Sequence, residues 1–187
     1  MSDNEFTVER MISMLEERDI LSPINHECDK FSLKKRDIVI DYGCGSGGYT
    51  KKISELIGDS GKVYAVDIHE LALESVIKKI NQYHLKNVET VLTKNINMIQ
   101  DSIADIIVAI DMFHMVEDKN AFLKELHRLI KVNGFLFLEM HHLTPDYVKW
   151  EVISSKVWEI VDEIDNCLKC IPKNKLDGTA KKQTVSV

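Results

Sequence analysis

The sequence predicts an α/β fold, a doubly wound and mostly parallel sheet followed by a C-terminal antiparallel hairpin. Short, continuously apolar runs such as Ile38-Val-Ile40, Ile106-Ile-Val-Ala-Ile110 and Phe135-Leu-Phe-Leu138 read as strands covered on both faces. Helical segments alternate with these runs, and regular β-α alternation means crossover connections and parallel pairing. Finally, Val157-Trp-Glu-Ile-Val161 and Asn166-Cys-Leu-Lys-Cys-Ile171 flank a short acidic turn, as in a hairpin.

Along the chain, residues 1–35 read as a helical arm. Val8, Met11, Ile12 and Leu15 follow the i, i+3, i+4, i+7 spacing of one apolar stripe. Ser22-Pro23 suits the cap and first turn of a second short helix. Strands are expected near 37–41, 62–67, 88–92, 104–110 and 134–140, with helices near 47–57, 70–83 and 117–131. In the last helix Phe122, Leu126, Leu129 and Ile130 share a face, and Asn133-Gly134 offers a terminator tolerant of positive φ. Thr144-Pro145 opens a further helix to about Ser155. Pro172 ends the hairpin, and the polar, aperiodic segment 173–187 is expected to be loosely held. With no repeat or linker, the expectation is one domain over 1–187: arm 1–35, core 36–172 and tail 173–187.

Composition narrows the function classes. A chain of 187 residues with 44% hydrophobic and 29% charged residues can bury a real core. No apolar run reaches the ~20 residues that a membrane span needs. The acidic start Met-Ser-Asp-Asn-Glu shows no signal-peptide pattern. A net charge of −6 argues against broad nucleic-acid binding, since Lys34-Lys35-Arg36, Lys51-Lys52 and Lys78-Lys79 form no continuous stripe. Four cysteines without secretory context point to a reducing, cytoplasmic setting. Cys167 and Cys170 have C-x-x-C spacing, but residues three apart on a strand face opposite sides. No second pair completes four ligands, so no metal is expected there, nor at His26-Glu-Cys28 or His141-His142.

The densest information lies in Val39-Ile-Asp-Tyr-Gly-Cys-Gly-Ser-Gly-Gly-Tyr-Thr50. A buried strand ends in an acid, a glycine-rich turn follows, and a helix begins whose free amides favour a negatively charged group. The next strand, Val63-Tyr-Ala-Val66, ends in Asp67, which can accept two ribose hydroxyl hydrogen bonds. This is a nucleoside-binding βαβ unit. Gly43, Gly45 and Gly48 also fit G-x-G-x-x-G, with Asp67 19 residues after Gly48, so spacing alone admits a dinucleotide. Asp41 argues otherwise, because an acid just before the turn repels a pyrophosphate and attracts an ammonium or sulfonium.

The string Asp41-Tyr-Gly-Cys-Gly-Ser-Gly-Gly48 closely resembles motif I of the class I S-adenosylmethionine-dependent methyltransferases, (D/E)-x-G-x-G-x-G. Asp105 to Asp118 resembles that family's fourth-strand motif, and His127 to Glu139 its following helix and fifth strand. In the latter Val132-Asn-Gly134 stands where many members have Pro-Gly-Gly. The resemblance covers about residues 36–172 and is nearest to the small-molecule, quinone-biosynthesis type. It implies a seven-stranded sheet in which the C-terminal hairpin supplies one antiparallel strand. It also implies S-adenosylmethionine as cofactor. Gly43, Gly45 and Gly47 would carry its methionine part, Asp41 would help to hold the ammonium, and Asp67 would bind the ribose. For the adenine amino group, Lys94 occupies the usual acid position; the expectation moves to Asn95, whose carbonyl can accept where a lysine cannot.

Asp111, at the fourth strand's carboxyl end, sits where open α/β sheets bind ligands, though it could instead cap the following turn. Methyl transfer needs mainly alignment, and a base only when the acceptor arrives protonated. His114, His141 and His142 are the candidates near the strand ends, each with a packing or surface role as the alternative, and Tyr49 could touch the methyl end. The expected activity is methyl transfer to a small molecule by in-line displacement. The rivals are a non-catalytic cofactor-binding protein of the same fold and a nicotinamide-linked oxidoreductase.

Overall fold

The computed structural model describes residues 3–21, 24 and 27–173; the Ser22-Pro23 helix start, His26 and the tail beyond 173 lie outside them. The elements are α1 (Asp3–Leu21), β1 (Ile38–Tyr42), α2 (Gly48–Ile57), β2 (Lys62–Asp67), α3 (Glu70–Tyr83), β3 (Val88–Leu92), β4 (Ala104–Ala109), α4 (Lys119–Leu129), β5 (Ile130–Glu139), α5 (Pro145–Ser154), β6 (Trp158–Ile164) and β7 (Cys167–Pro172). One seven-stranded sheet has the order β3-β2-β1-β4-β5-β7-β6. The first five strands pair in parallel, and β7 runs antiparallel to both β5 and β6. The hairpin therefore folds back so that its second strand meets the parallel sheet.

Helices cover both faces, which is why the strand interiors are apolar throughout. On one face Ile40, Ile107, Leu136 and Leu138 meet Leu123 and Leu126 of α4 and Val148 and Val152 of α5. On the other, Val39, Val63, Val108 and Phe137 meet Ile53 and Ile57 of α2, while Ala65 meets Leu73 and Val76 of α3. Cys170 belongs to the first core and Cys167 to the second, so the C-x-x-C pair straddles the sheet. Both thiols are free, and burial pushes each up to about 12. The apolar stripe of α1 also packs as its spacing predicts: Val8 and Ile12 are buried against Ala72 of α3.

Trp158 shows how the hairpin is fixed. Its side chain is fully buried, and its indole N–H donates to the Leu123 carbonyl at 2.9 Å, tying β6 to α4. Trp158→Ala is expected to lower unfolding stability by about 3–5 kcal/mol in urea titration, the usual range for truncating a buried aromatic. Trp158→Phe is expected to lose about 1–2 kcal/mol, because most of the ring volume remains while the indole hydrogen bond to α4 is lost.

The α4–β5 junction differs from expectation. The helix stops at Leu129 and β5 begins at once with Ile130, so Asn133-Gly134 lies inside a strand and terminates no helix. Pairing with β4 jumps from Ala104↔Ile130 to Ile106↔Phe135, a bulge that holds the extra residues of β5. A Cβ at Gly134 would lie 2.8 Å from the Asp105 carbonyl oxygen, so this glycine is needed for close approach between strands.

Candidate active site

The site forms where the strand order reverses, between β1 and β4, at the carboxyl ends of the parallel strands. The amides of Gly43 and Cys44 both donate to the Val66 carbonyl, at 2.8 and 3.0 Å, turning the chain sharply off β1. Gly43 has φ +78°, and a Cβ there would lie 2.8 Å from the Met112 side chain. Gly45 has φ +51°, with Leu15 of α1 immediately above it. Gly47 caps α2 and backs onto Val76 of α3. Asp67 is 7% exposed, and its two oxygens accept from the Gly45 amide at 3.0 Å and the His69 amide at 2.9 Å. An ionised carboxylate has about four acceptor positions, so two remain for a ligand.

Three cavities lie around this turn, and each neighbouring pair shares wall residues. The first, about 520 Å³, is largely apolar, with Ile68, Thr93, Met112, Val116 and Phe122 in its wall. Gly43, Asp67, Met112 and Met115 also line the second, about 220 Å³, which adds Gly45, Ser46, Tyr49 and His114. Arg18, Tyr49, Ile110, Asp111 and His142 continue into the third, about 160 Å³, which is bounded by Glu139 and His141. The helix α1 roofs the middle of this groove: Asp19 accepts from the Ser46 hydroxyl at 2.8 Å, and Arg18 donates to Asp111 Oδ2 at 2.9 Å.

The far end is rich in titratable groups. The Asp111 amide donates to Glu139 Oε2 at 2.8 Å, linking the ends of β4 and β5. Burial raises the Glu139 carboxyl above its ordinary value, against the opposing effect of that amide. The His114 ring lies 4.6 Å from that of His142, which lies 4.9 Å from that of His141. Burial first, and the charge of His142 second, holds His114 below the ordinary histidine value. Tyr49 donates to Glu27, and burial together with that carboxylate raises its phenol.

Most of the expected site residues converge on the groove. Gly43, Gly45, Asp67, Asp111, His114, His141 and His142 line it; Gly47 does not, since it faces Val76 of α3, and its neighbour Gly48 lines the wall in its place. The Asp111 side chain accepts from Arg18, so its part in the site is a cross-link and it does not cap the following turn. Asp41 is 3% exposed and lines none of the three cavities; it accepts from the Thr50 hydroxyl at 2.5 Å beneath the glycine turn. Asn95 is also displaced. The chain after β3 winds into a 3-10 helix, Thr93–Met98, which leaves Asn95 exposed outside the cavities and puts Thr93 in the wall. Lys94 pairs with Glu70 at 3.5 Å on the surface. Arg18, Glu139 and Thr93 were not visible as site residues in the sequence. Ile68 had one signal, an apolar residue directly after the ribose-type acid, and it is 71% exposed at the mouth of the large cavity.

Comparison with known proteins gives a consistent result. Residues 33–179 match a family model described as a methyltransferase domain. A solved S-adenosylmethionine-dependent methyltransferase from Aquifex aeolicus superposes with a TM-score of 0.73 at 26% identity, covering 86% of this chain and 95% of that one. A demethylmenaquinone methyltransferase from Geobacillus is 26% identical over 127 residues, 67% of this chain and 54% of the relative. A probable cobalt-precorrin-6B C(15)-methyltransferase from Saccharolobus solfataricus is 35% identical over 77 residues, 38% of this chain and 39% of the relative. The chain thus spans about half or less of the length of these two curated relatives.

Proposed function

The chain belongs to the methyltransferase-domain family, and on that premise we propose that it transfers the methyl group of S-adenosylmethionine to a small-molecule acceptor. The observation that carries this reading is the continuous groove, with an apolar end, a buried ribose-type carboxylate at its junction, and a polar, histidine-lined end. The cofactor's parts match the groove in order. Adenine suits the large apolar cavity, whose wall has Ile68, Met112 and Phe122 for packing and Thr93 as the polar residue after β3. Asp67 accepts from the ribose, and the cavity of about 220 Å³ lined by Gly43, Gly45 and Ser46 takes the methionine chain, while the two glycines let Met112 and Leu15 pack directly against the turn.

When bound, this cofactor supplies a methyl group already activated on a sulfonium. The protein's share is alignment and exclusion of water, which well-oriented groups can turn into about 7–11 kcal/mol of barrier reduction. α1 supplies the roof through the Asp19–Ser46 and Arg18–Asp111 contacts. The acceptor occupies the end bounded by Glu139, His141 and His142, in a space that favours a small or extended molecule. An acceptor that arrives protonated finds proton-accepting imidazoles there, and one that is already nucleophilic needs none.

The names of the two curated relatives, for a demethylmenaquinone and a precorrin, support a small organic acceptor. The net charge of −6 supports the same reading over a nucleic acid, as does the lack of a basic stripe. Among the described residues no helix is long and apolar enough to cross a membrane. The cytoplasm, which keeps its four buried thiols reduced, is the proposed compartment. The test is incubation with methyl-labelled S-adenosylmethionine and a fractionated cell extract. Label in the low-molecular-weight organic fraction is expected, and label confined to RNA or protein would overturn the acceptor class.

A further inference from the structure

We propose that Asp111, His141 and His142 form a binding site for a divalent transition metal ion of the zinc type at the acceptor end of the groove. One ligand atom from each of the three lies within 4.8 Å of the others. Bonds of 2.0–2.2 Å to a tetrahedral ion place neighbouring ligand atoms roughly 3.4 Å apart, so closure needs side-chain movements of about an ångström. The imidazoles are free to make them: the His141 and His142 side chains are 63% and 57% exposed. Two imidazoles and one carboxylate suit zinc, cobalt, nickel or iron and disfavour magnesium and calcium, which take oxygen ligands.

Three further observations converge on the same point. Asp111 Oδ1 is buried and has no hydrogen-bond partner among the described residues, although His142 Nε2 stands 3.2 Å away outside hydrogen-bond geometry. An unsatisfied carboxylate oxygen is costly, and a cation shared with His142 would satisfy it. Second, Asp111 has φ +54° and His142 φ +64°, so two non-glycine residues at the ends of adjacent strands occupy the left-handed region and turn toward one cavity. Such conformations cluster at functional sites. Third, Arg18 holds Asp111 Oδ2, leaving Oδ1 for the ion. Glu139 Oε1 lies 3.9 Å from His141 Nδ1, beyond hydrogen-bond distance but near enough to close into the carboxylate–imidazole contact that usually orients a ligating histidine. The guanidinium opposes a nearby cation, so affinity in the micromolar range is expected rather than the far tighter binding of structural zinc.

Three protein ligands leave an open position toward the cavity of about 160 Å³. An acceptor hydroxyl bound there would be acidified by the ion. That use rests on the methyl-transfer reading, whereas binding of the ion does not. The test is titration of tag-free protein with Co²⁺, read by visible absorption, with Zn²⁺ as competitor. One equivalent should bind at micromolar concentration, with Zn²⁺ displacing it. His141→Ala and His142→Ala, both on exposed side chains, should each weaken binding at least tenfold, and Asp111→Asn should do the same. His84→Ala, on a surface helix end, should leave binding unchanged. No saturation below millimolar Co²⁺, or wild-type affinity in His142→Ala, would overturn the site. Titration with S-adenosylhomocysteine in metal-free buffer reads the cofactor site separately, so failure of one assignment is not mistaken for failure of the other.

Discussion

Replacing Asp67 with alanine is expected to weaken binding of S-adenosylmethionine and S-adenosylhomocysteine at least about 100-fold. Two hydrogen bonds to an ionised group at about 1.5 kcal/mol each amount to roughly that factor. The substitution also frees the Gly45 and His69 amides, so the turn that shapes the methionine end loses its anchor. Both ligands should suffer equally, because the ribose is common to them and the sulfonium charge is not. Asp67→Asn keeps one acceptor oxygen and should lose about tenfold. Calorimetric titration of both variants checks this; unchanged affinity in the alanine variant would remove Asp67 from the site.

Asp41→Asn is expected to make the fold's stability much less sensitive to alkali. Burial drives the Asp41 carboxyl up to about 7 from its ordinary value of 3.8, and the Thr50 hydrogen bond only partly opposes this. A raised carboxyl means that between these two values the folded state holds the proton and the unfolded state has lost it. Stability therefore falls as pH rises through that window, and the full cost is present once the folded carboxyl ionises. From pH 5 to pH 8 this group should remove roughly 3 kcal/mol of wild-type stability. Urea unfolding at the two pH values should show that loss in the wild type and most of it missing in Asp41→Asn. An equal loss in both proteins would show that Asp41 does not titrate as its burial implies. A cation bound above the glycine turn favours the ionised form, so cofactor binding near neutral pH should also release protons.

These two acids mark how far the sequence could be read. A glycine-dense turn between two apolar strands that each end in an acid left little freedom, and Asp67 stands where the spacing placed it. Asp41 stands near the end of β1 as the sequence suggests, but strand alternation and Thr50 in the first turn of α2 hold its carboxylate buried beneath the glycine turn. Asn95 shows the usual limit: strand ends were legible, whereas the path of the segment after β3 depends on a 3-10 turn with no distinctive residue pattern. Gly134 misled for a related reason. Its lack of a side chain serves a β-bulge against the Asp105 carbonyl, and from sequence a bulge glycine looks like a helix terminator. The histidine end was visible as scattered candidates only. Its coherence comes from β4 and β5 lying side by side, and from Arg18 crossing a separation of 93 residues to reach Asp111.

The central claim is that the groove binds an S-adenosyl cofactor, and parallel isothermal titrations with S-adenosylmethionine, S-adenosylhomocysteine and NADH test it most directly. Micromolar binding of the first two with no heat from NADH is the predicted result. Binding of NADH, with neither S-adenosyl compound bound, would contradict it and transfer the glycine turn and Asp67 to a dinucleotide.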